Sequence, residues 1–153
     1  EFEHEFLPYY YAHMYEYTVL REGVIEVLEQ LKGRYRLGIL SNGDSFSQHA
    51  KIAKTGIEGY FDAVMVSNDC GIDKPDVRIF HMMCEQLGVK EKECVMIGDV
   101  FSSDVLGAVS SGMTPIWIRR DLDRPCHFYR GYCIQSPKEI LKILEEIEKE
   151  VTA

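Results

Sequence analysis

The sequence contains no long apolar run, no excess of basic side chains and no paired cysteine motif. No apolar stretch approaches the roughly 20 residues that a membrane-spanning helix needs, which argues against a membrane protein. The net charge of -8 and the pI near 5.1 argue against the basic surface that general nucleic-acid binding requires. An acidic chain of this kind suits a soluble protein whose carboxylates bind a cation.

The five cysteines are odd in number and include no C-x-x-C pair. This usage argues against a disulfide framework and predicts a reducing cytoplasm. Cys84 and Cys94 lie in apolar periodic stretches and are expected to be small core side chains. Cys126, His127 and Cys133 lie near one another in the sequence. Because zinc sites usually show paired short spacings and a fourth ligand is missing here, ordinary loop and strand residues are the preferred interpretation.

Hydrophobic periodicity indicates one domain of alternating helices and strands. At 153 residues with 46% hydrophobic side chains, the chain is long enough for a sizeable core. The pattern predicts helices at about 24–33, 44–55, 76–88 and 102–110, and strands at 35–40, 63–66, 94–97, 115–118 and 132–134. A capping box from Ser136 to Glu139, with Pro137 at its first position, predicts one more helix.

Strands that alternate with helices favour a mainly parallel sheet with right-handed crossovers and helices on both faces. The strands are apolar throughout, as expected where both faces of a sheet are buried. The predicted fold is therefore α/β, a Rossmann-like three-layer sandwich. An aromatic, helix-compatible segment at about 3–17 precedes it, and packing of these rings in a core is preferred over a stacking surface for bases.

Polar residues follow three of the predicted strands, at the point where each strand ends. Ser41 and Asn42 follow the first strand, Lys74 lies in the loop after the second, and Asp99 follows the third, with Asp104 just beyond it. In open α/β sheets, ligands bind at this edge. A hydroxyl and backbone N–H groups at a helix N-terminus bind anions, a lysine adds charge, and two aspartates suit Mg²⁺. The pattern predicts a site for phosphate and magnesium.

Each of these elements also has an ordinary structural interpretation. Ser41 and its neighbours could form only a turn with a helix cap, and a lysine before a capped helix is usually solvated. Asp99 could belong to a common strand-end turn, and Asp104 could be an acid favoured by the helix dipole. The functional interpretation is preferred because all of these residues lie, in order, at one edge of the predicted sheet.

The stretches 37–43, 71–80 and 98–108 together resemble the haloacid dehalogenase-like (HAD) hydrolase superfamily, in its phosphatase-type members. The resemblance extends from about residue 22 to residue 147. It implies that Ser41 hydrogen-bonds the transferring phosphoryl group, with Asn42 beside it. Lys74 would bridge the phosphoryl oxygens and a nucleophilic carboxylate. Asp99 would bind Mg²⁺, and Asp104 would hold the metal's waters or the lysine, or coordinate the metal directly.

The first motif of that family, a strand ending in Asp-x-Asp, has no clear counterpart here. Its first aspartate is the nucleophile and its second the general acid and base. Asp121-Leu122-Asp123 does follow a predicted strand, so a circular permutation is conceivable. That interpretation is disfavoured, because two arginines intervene after the strand and Arg124-Pro125 stands where a Gly-Thr-like turn is expected.

We therefore expect the chain to begin inside a helical cap, with residues 1–20 as its tail and residues 21–153 as the α/β core. The nucleophile strand and most of the cap would be missing from this chain, through truncation, proteolysis, disorder or presence as a separate chain. Without that strand, the sheet would contain an apolar slot with unpaired backbone groups on both sides. The chain alone would be inactive.

The resemblance implies a Mg²⁺-dependent phosphatase that acts on a small phosphorylated metabolite through an aspartyl-phosphate. A non-catalytic module that binds phosphate for regulation is an alternative, because the nucleophile is not in this sequence. A metal-independent haloacid dehalogenase is a further alternative, against which the aspartates at 99 and 104 argue.

Overall fold

The computed structural model describes residues 6, 9, 10, 13–119 and 129–152 of the chain. Its strands are β1 (Gly38–Ser41), β2 (Ala63–Val66), β3 (Val95–Gly98), β4 (Thr114–Ile118) and β5 (Tyr132–Ile134). Its helices are α1 (Val24–Leu31), α2 (Ser45–Thr55), α3 (Ser67–Cys70), α4 (Val77–Leu87), α5 (Leu106–Ser111) and α6 (Ile140–Thr152). Short 3-10 helices lie at Met14–Tyr17, Glu58–Tyr60, Glu91–Glu93 and Pro137–Glu139, and a π-helical turn spans Phe101–Val105.

Every strand pairing is parallel. β1 pairs with β2 in a register that sets Gly38 opposite Ala63. β3 pairs with β4, and β4 pairs with β5. Parallel strands joined by helices confirm the predicted α/β fold, because each crossover returns the chain to the same end of the sheet.

Two apolar cores lie on opposite faces of the sheet and account for its stability. On one face, α1 and α6 pack on β4 and β5 through the buried residues Val27, Leu31, Ile116, Ile134, Ile140 and Leu144. On the other face, α4 and α5 contribute the buried residues Ile79, Phe80, Cys84 and Ala108. Within β3, Val95 and Ile97 pack on the first core and Met96 on the second, as the alternation of a strand requires. The three-layer arrangement follows.

An apolar slot lies between β1 and β3. Among the described residues, β1 hydrogen-bonds to β2 and to no other strand, and β3 likewise only to β4. The slot has a volume of about 360 Å³. Its walls are α1 and the two strand edges, and its lining includes Leu28, Leu31, Ile39, Met96 and Ile97. In the described part of the chain, an apolar slot thus lies between two strand edges that do not pair with each other.

Some boundaries differ from the predicted ones. β1 begins at Gly38 rather than Tyr35 because Leu37 is bonded elsewhere: its N–H donates to Asp62 Oδ2 at 2.8 Å, and its carbonyl accepts from Asp62 N at 2.7 Å. The helix predicted at 102–110 begins one residue earlier, with the π-helical turn Phe101–Val105. The capping box of Ser136 and Glu139 is confirmed, at the short helix that leads into α6.

Cys84 and Cys94, predicted to be core side chains, do pack in an apolar core. Cys84 is buried, and Cys94 packs against the same core, with 3.6 Å between the two sulfur atoms. Burial raises the pKa of Cys84 to about 12. The thiol therefore stays protonated at neutral pH and behaves as a small hydrophobic side chain.

Several expectations lie outside the described residues. They concern Asp121-Leu122-Asp123, the grouping of Cys126 and His127, and most of the aromatic N-terminal segment. The division into residues 1–20 and 21–153 stays a prediction. In the part of the chain that the structure describes, no helix is both long and apolar enough to cross a membrane.

Close packing at Gly107 generates a test of the second core. A Cβ atom at this position would lie 2.5 Å from the Phe80 ring and 3.2 Å from Pro75 Cα. We expect Gly107→Ala to lower the free energy of unfolding, because overpacking costs about 1–3 kcal/mol whereas the gain in helix propensity is about 1 kcal/mol. Gly59→Ala is the matched control, since a Cβ there meets nothing within 4 Å. Equal stability of the two variants in urea unfolding would contradict this packing.

Candidate active site

Lys74 is the centre of the candidate site. Its ammonium donates to the Leu40 carbonyl, near the end of β1, and to Asp104 Oδ1, beyond β3, both at 2.8 Å. The side chains of Lys74 and Asp104 are 8% and 6% exposed. An ion pair so well buried is costly unless both partners are hydrogen-bonded, and here they are. The structure thus brings together two residues that lie 30 positions apart in the sequence.

The second oxygen of Asp104 holds the turn that follows β3. Oδ2 accepts from the Val100 backbone N–H at 3.0 Å, and Oδ1 also accepts from Ser103 Oγ at 3.2 Å. The carboxylate packs directly over Gly98, where an added Cβ would lie only 2.4 Å from Oδ2 of Asp104. Glycine is therefore required at the end of β3, because any side chain would displace the partner of Lys74.

Asn42 fixes the lysine loop. Its side-chain amide donates to the Lys74 carbonyl at 2.9 Å, and its side-chain oxygen accepts from the Lys74 backbone N–H at 2.8 Å. These two bonds engage both ends of the amide and tie the loop to the end of β1. The predicted contact between Asn42 and the substrate stays a prediction, while this positioning contact could not be inferred from the sequence.

Ser41 lies at the end of β1, with its hydroxyl 3.1 Å from Gln48 Oε1 on α2. The loop that follows is held by buried Ser67, whose hydroxyl accepts from the Gly43 backbone N–H at 3.1 Å. Sequence reasoning missed both Gln48 and Ser67. Ser67 directly follows β2 and could have been found by the same strand-end rule. Gln48 follows no strand, and nothing in the sequence singles it out.

The start of α2 differs from the expected anion site. The Asp44 carboxylate accepts from the Ser47 backbone N–H at 2.8 Å, and this hydrogen bond lowers the pKa of Asp44. This cap satisfies one backbone N–H of the helix end, and its negative charge opposes an anion there. The predicted phosphate contacts of Ser41 and Lys74 stay predictions.

Asp99 directly follows β3 at the same edge of the sheet. Mg²⁺ is usually bound by one or two protein carboxylates together with waters and substrate phosphate oxygens. A carboxylate such as that of Asp99 is the kind of ligand this requires, and its role as a direct ligand stays a prediction. Both oxygens of Asp104 accept hydrogen bonds within the chain. Direct coordination by Asp104 stays a prediction. No group of three or more potential metal ligands lies together in the described residues.

Comparison with known proteins agrees with this geometry. A family model described as haloacid dehalogenase-like hydrolase matches residues 1–112. The chain belongs to this family. It is 36% identical over 113 residues to a glyceraldehyde 3-phosphate phosphatase of Methanothermobacter thermautotrophicus, over 72% of this chain and 50% of that protein. It is 32% identical over 140 residues to the N-acylneuraminate-9-phosphatase of Homo sapiens, over 90% of this chain and 56% of that protein.

Solved structures of family members share the fold. A HAD phosphatase from Thermococcus onnurineus is similar with a TM-score of 0.78 and 38% identity, over 92% of this chain and 63% of that one. The HAD-hydrolase YfnB from Bacillus subtilis, solved bound to magnesium, gives a TM-score of 0.82 with 25% identity, over 88% of this chain and 60% of that one. The chain spans about half the length of the curated relatives that it matches.

The buried ion pair generates a test by unfolding. Asp104→Ala leaves the Lys74 ammonium buried without its carboxylate, so we expect the free energy of unfolding to fall by about 3–5 kcal/mol. Adding Lys74→Met should recover part of this loss, because the uncompensated charge is then removed. Urea unfolding of both single variants and the double variant measures the coupling energy. If the double variant lost as much free energy of unfolding as the two single variants together, a direct interaction between Lys74 and Asp104 would be contradicted.

Proposed function

We propose that the protein is a Mg²⁺-dependent phosphatase of a small phosphorylated metabolite. Its nucleophile would be an aspartate that lies outside these 153 residues. The observation that carries the proposal is the buried Lys74–Asp104 pair at the carboxyl edge of β1 and β3. This pair fixes a cation where a phosphoryl group would be held in an open α/β sheet, and the named relatives are phosphatases.

Lys74 is suited to bind either the phosphoryl group or the nucleophile. An ammonium has three N–H donors. Among the described residues, Leu40 O and Asp104 accept from Lys74 Nζ. A third donor remains for a phosphoryl oxygen or an attacking carboxylate. Such a fixed positive charge favours phosphoryl transfer because its transition state needs positioning and charge neutralisation.

The Ser41 hydroxyl would donate a hydrogen bond to a phosphoryl oxygen. To do so, it would have to give up its hydrogen bond to Gln48. Asp99 would hold the Mg²⁺, which when bound neutralises negative charge on the phosphoryl oxygens. A solved relative bound to magnesium supports a Mg²⁺ in the proposed function. Asp104 would keep the Lys74 ammonium in place.

The slot between β1 and β3 would accept the strand that carries the nucleophile. An extended segment parallel to both strands would pair with both free edges and fill the apolar space. Its carboxyl end would then lie at the edge that holds Ser41 and Lys74. An aspartate just after that strand would approach the phosphoryl group. We propose that an Asp-x-Asp segment, on the same polypeptide or as a separate chain, is this partner.

The nature of the substrate follows from the relatives only as a class. One is named for glyceraldehyde 3-phosphate and another for N-acylneuraminate 9-phosphate, both small phosphate monoesters. We propose a substrate of this class for the site described above.

The strand proposal is tested by supplying the missing part. An Asp-x-Asp-bearing strand and cap are fused before Glu1, and hydrolysis of p-nitrophenyl phosphate is measured with Mg²⁺. We expect activity to appear, and Lys74→Ala and Asp99→Ala each to lower kcat by about 100-fold or more, as loss of a transition-state charge contact does. Lys92→Ala, at an exposed lysine, is the control and should leave kcat unchanged. Binding of a phosphate analogue without any turnover would instead favour a regulatory module.

Metal dependence is tested separately on the same fused protein. We expect EDTA to abolish the hydrolysis and added Mg²⁺ to restore it, because the charge of the metal is needed on the phosphoryl oxygens. Release of halide from a haloacid that survives EDTA, without phosphatase activity, would overturn the proposal in favour of a dehalogenase.

A further inference from the structure

Trp117 lies beside the turn that carries Asp99. It is on β4, directly opposite Gly98 in the parallel register. Side chains that are opposite one another in neighbouring strands project from the same face of a sheet. Because Gly98 has no side chain, the indole has room to reach the turn, where Nε1 donates to the Asp99 backbone carbonyl at 3.1 Å.

This hydrogen bond and one from Asp104 act on the same peptide group. The carbonyl of Asp99 and the N–H of Val100 belong to a single planar unit. Trp117 donates to that carbonyl at 3.1 Å, and Asp104 Oδ2 accepts from that N–H at 3.0 Å. The two bonds hold the plane at both ends, so they limit rotation about the bond between Asp99 Cα and its carbonyl carbon.

The indole is itself held in place by its neighbours. Its ring lies 4.8 Å from the Phe101 ring, at a tilt of 58°. The Tyr129 ring meets both edge-on, at 5.5 Å from Phe101 and 5.9 Å from Trp117. The Arg119 guanidinium lies 5.0 Å from the centre of the Trp117 ring, on the scale of a cation–π contact. A donor fixed in this way is suited to positioning.

We propose that Trp117 is a positioning residue for the magnesium ligand. Together with Asp104, it fixes the peptide plane after Asp99 and would thereby help to orient the Asp99 carboxylate toward a bound metal. The inference rests on the proposed function, because it takes Asp99 as the Mg²⁺ ligand. It adds a residue on β4 to a site otherwise built from the segments that follow β1, β2 and β3.

Mg²⁺ affinity is the readout that distinguishes positioning from general stability. Trp117→Phe keeps an aromatic ring but removes the N–H donor. We expect calorimetric titration of the full chain with Mg²⁺ to give an affinity about tenfold weaker, as for loss of other residues that orient metal ligands. Tyr132→Phe is the matched control: it removes the hydroxyl of an aromatic residue that bonds Glu150 at 3.0 Å, and should leave the affinity unchanged.

A fluorescence titration separates failure of this inference from failure of the proposed function. Trp117 is the one tryptophan in the 153 residues, so the emission of this chain reports on the turn. We expect Mg²⁺ to change the emission and Asp99→Asn to abolish that change. Absence of Mg²⁺ binding, or binding that Asp99→Asn leaves intact, would overturn the metal site and this inference together. If Mg²⁺ binding depends on Asp99 but is equally strong in Trp117→Phe, this inference alone would be overturned. That holds whether or not Trp117→Phe lowers the melting temperature.

Discussion

The contact of Lys74 with Leu40 and Asp104 is the interaction on which the candidate site depends. Among the described residues, the two parts of the sheet share no strand pairing, yet Lys74 Nζ bonds to the end of β1 and to the turn beyond β3. One ammonium therefore connects two parts of the sheet between which the described residues form no backbone hydrogen bonds of a strand pair. Because the pair is buried, loss of either Lys74 or Asp104 leaves an unpaired buried charge, which costs stability.

Much of the surrounding structure serves this contact. Asn42 fixes the backbone of Lys74, and Gly98 leaves the space that the Asp104 carboxylate fills. Asp104 in turn holds the peptide group after Asp99. Lys74, the end of β1 and the peptide group after Asp99 are thus parts of one hydrogen-bonded network.

The sequence predicted the class of fold well, because the fold class depends on local patterns. Periodicity separated helices from strands, and the rule that ligands bind at the carboxyl ends of strands drew attention to Ser41, Lys74 and Asp99. Individual hydrogen bonds were harder to predict. The late start of β1 depends on Asp62, a residue distant in sequence from Leu37. The bonds of Asn42 to Lys74 likewise require the loop to have closed. The hydrophobic periodicity and the spacing of motifs carry no information about hydrogen-bond partners that are distant along the chain.

The slot in the sheet has a consequence for handling the protein. Among the described residues, the facing edges of β1 and β3 and their apolar walls are the kind of surface to which extended peptides add. At high concentration, the segments exposed in partly unfolded copies would compete for it, and the result would be intermolecular sheets rather than a defined complex. Solubility of this chain would therefore depend on occupancy of the slot, and a short strand-forming peptide would act on it as a folding additive.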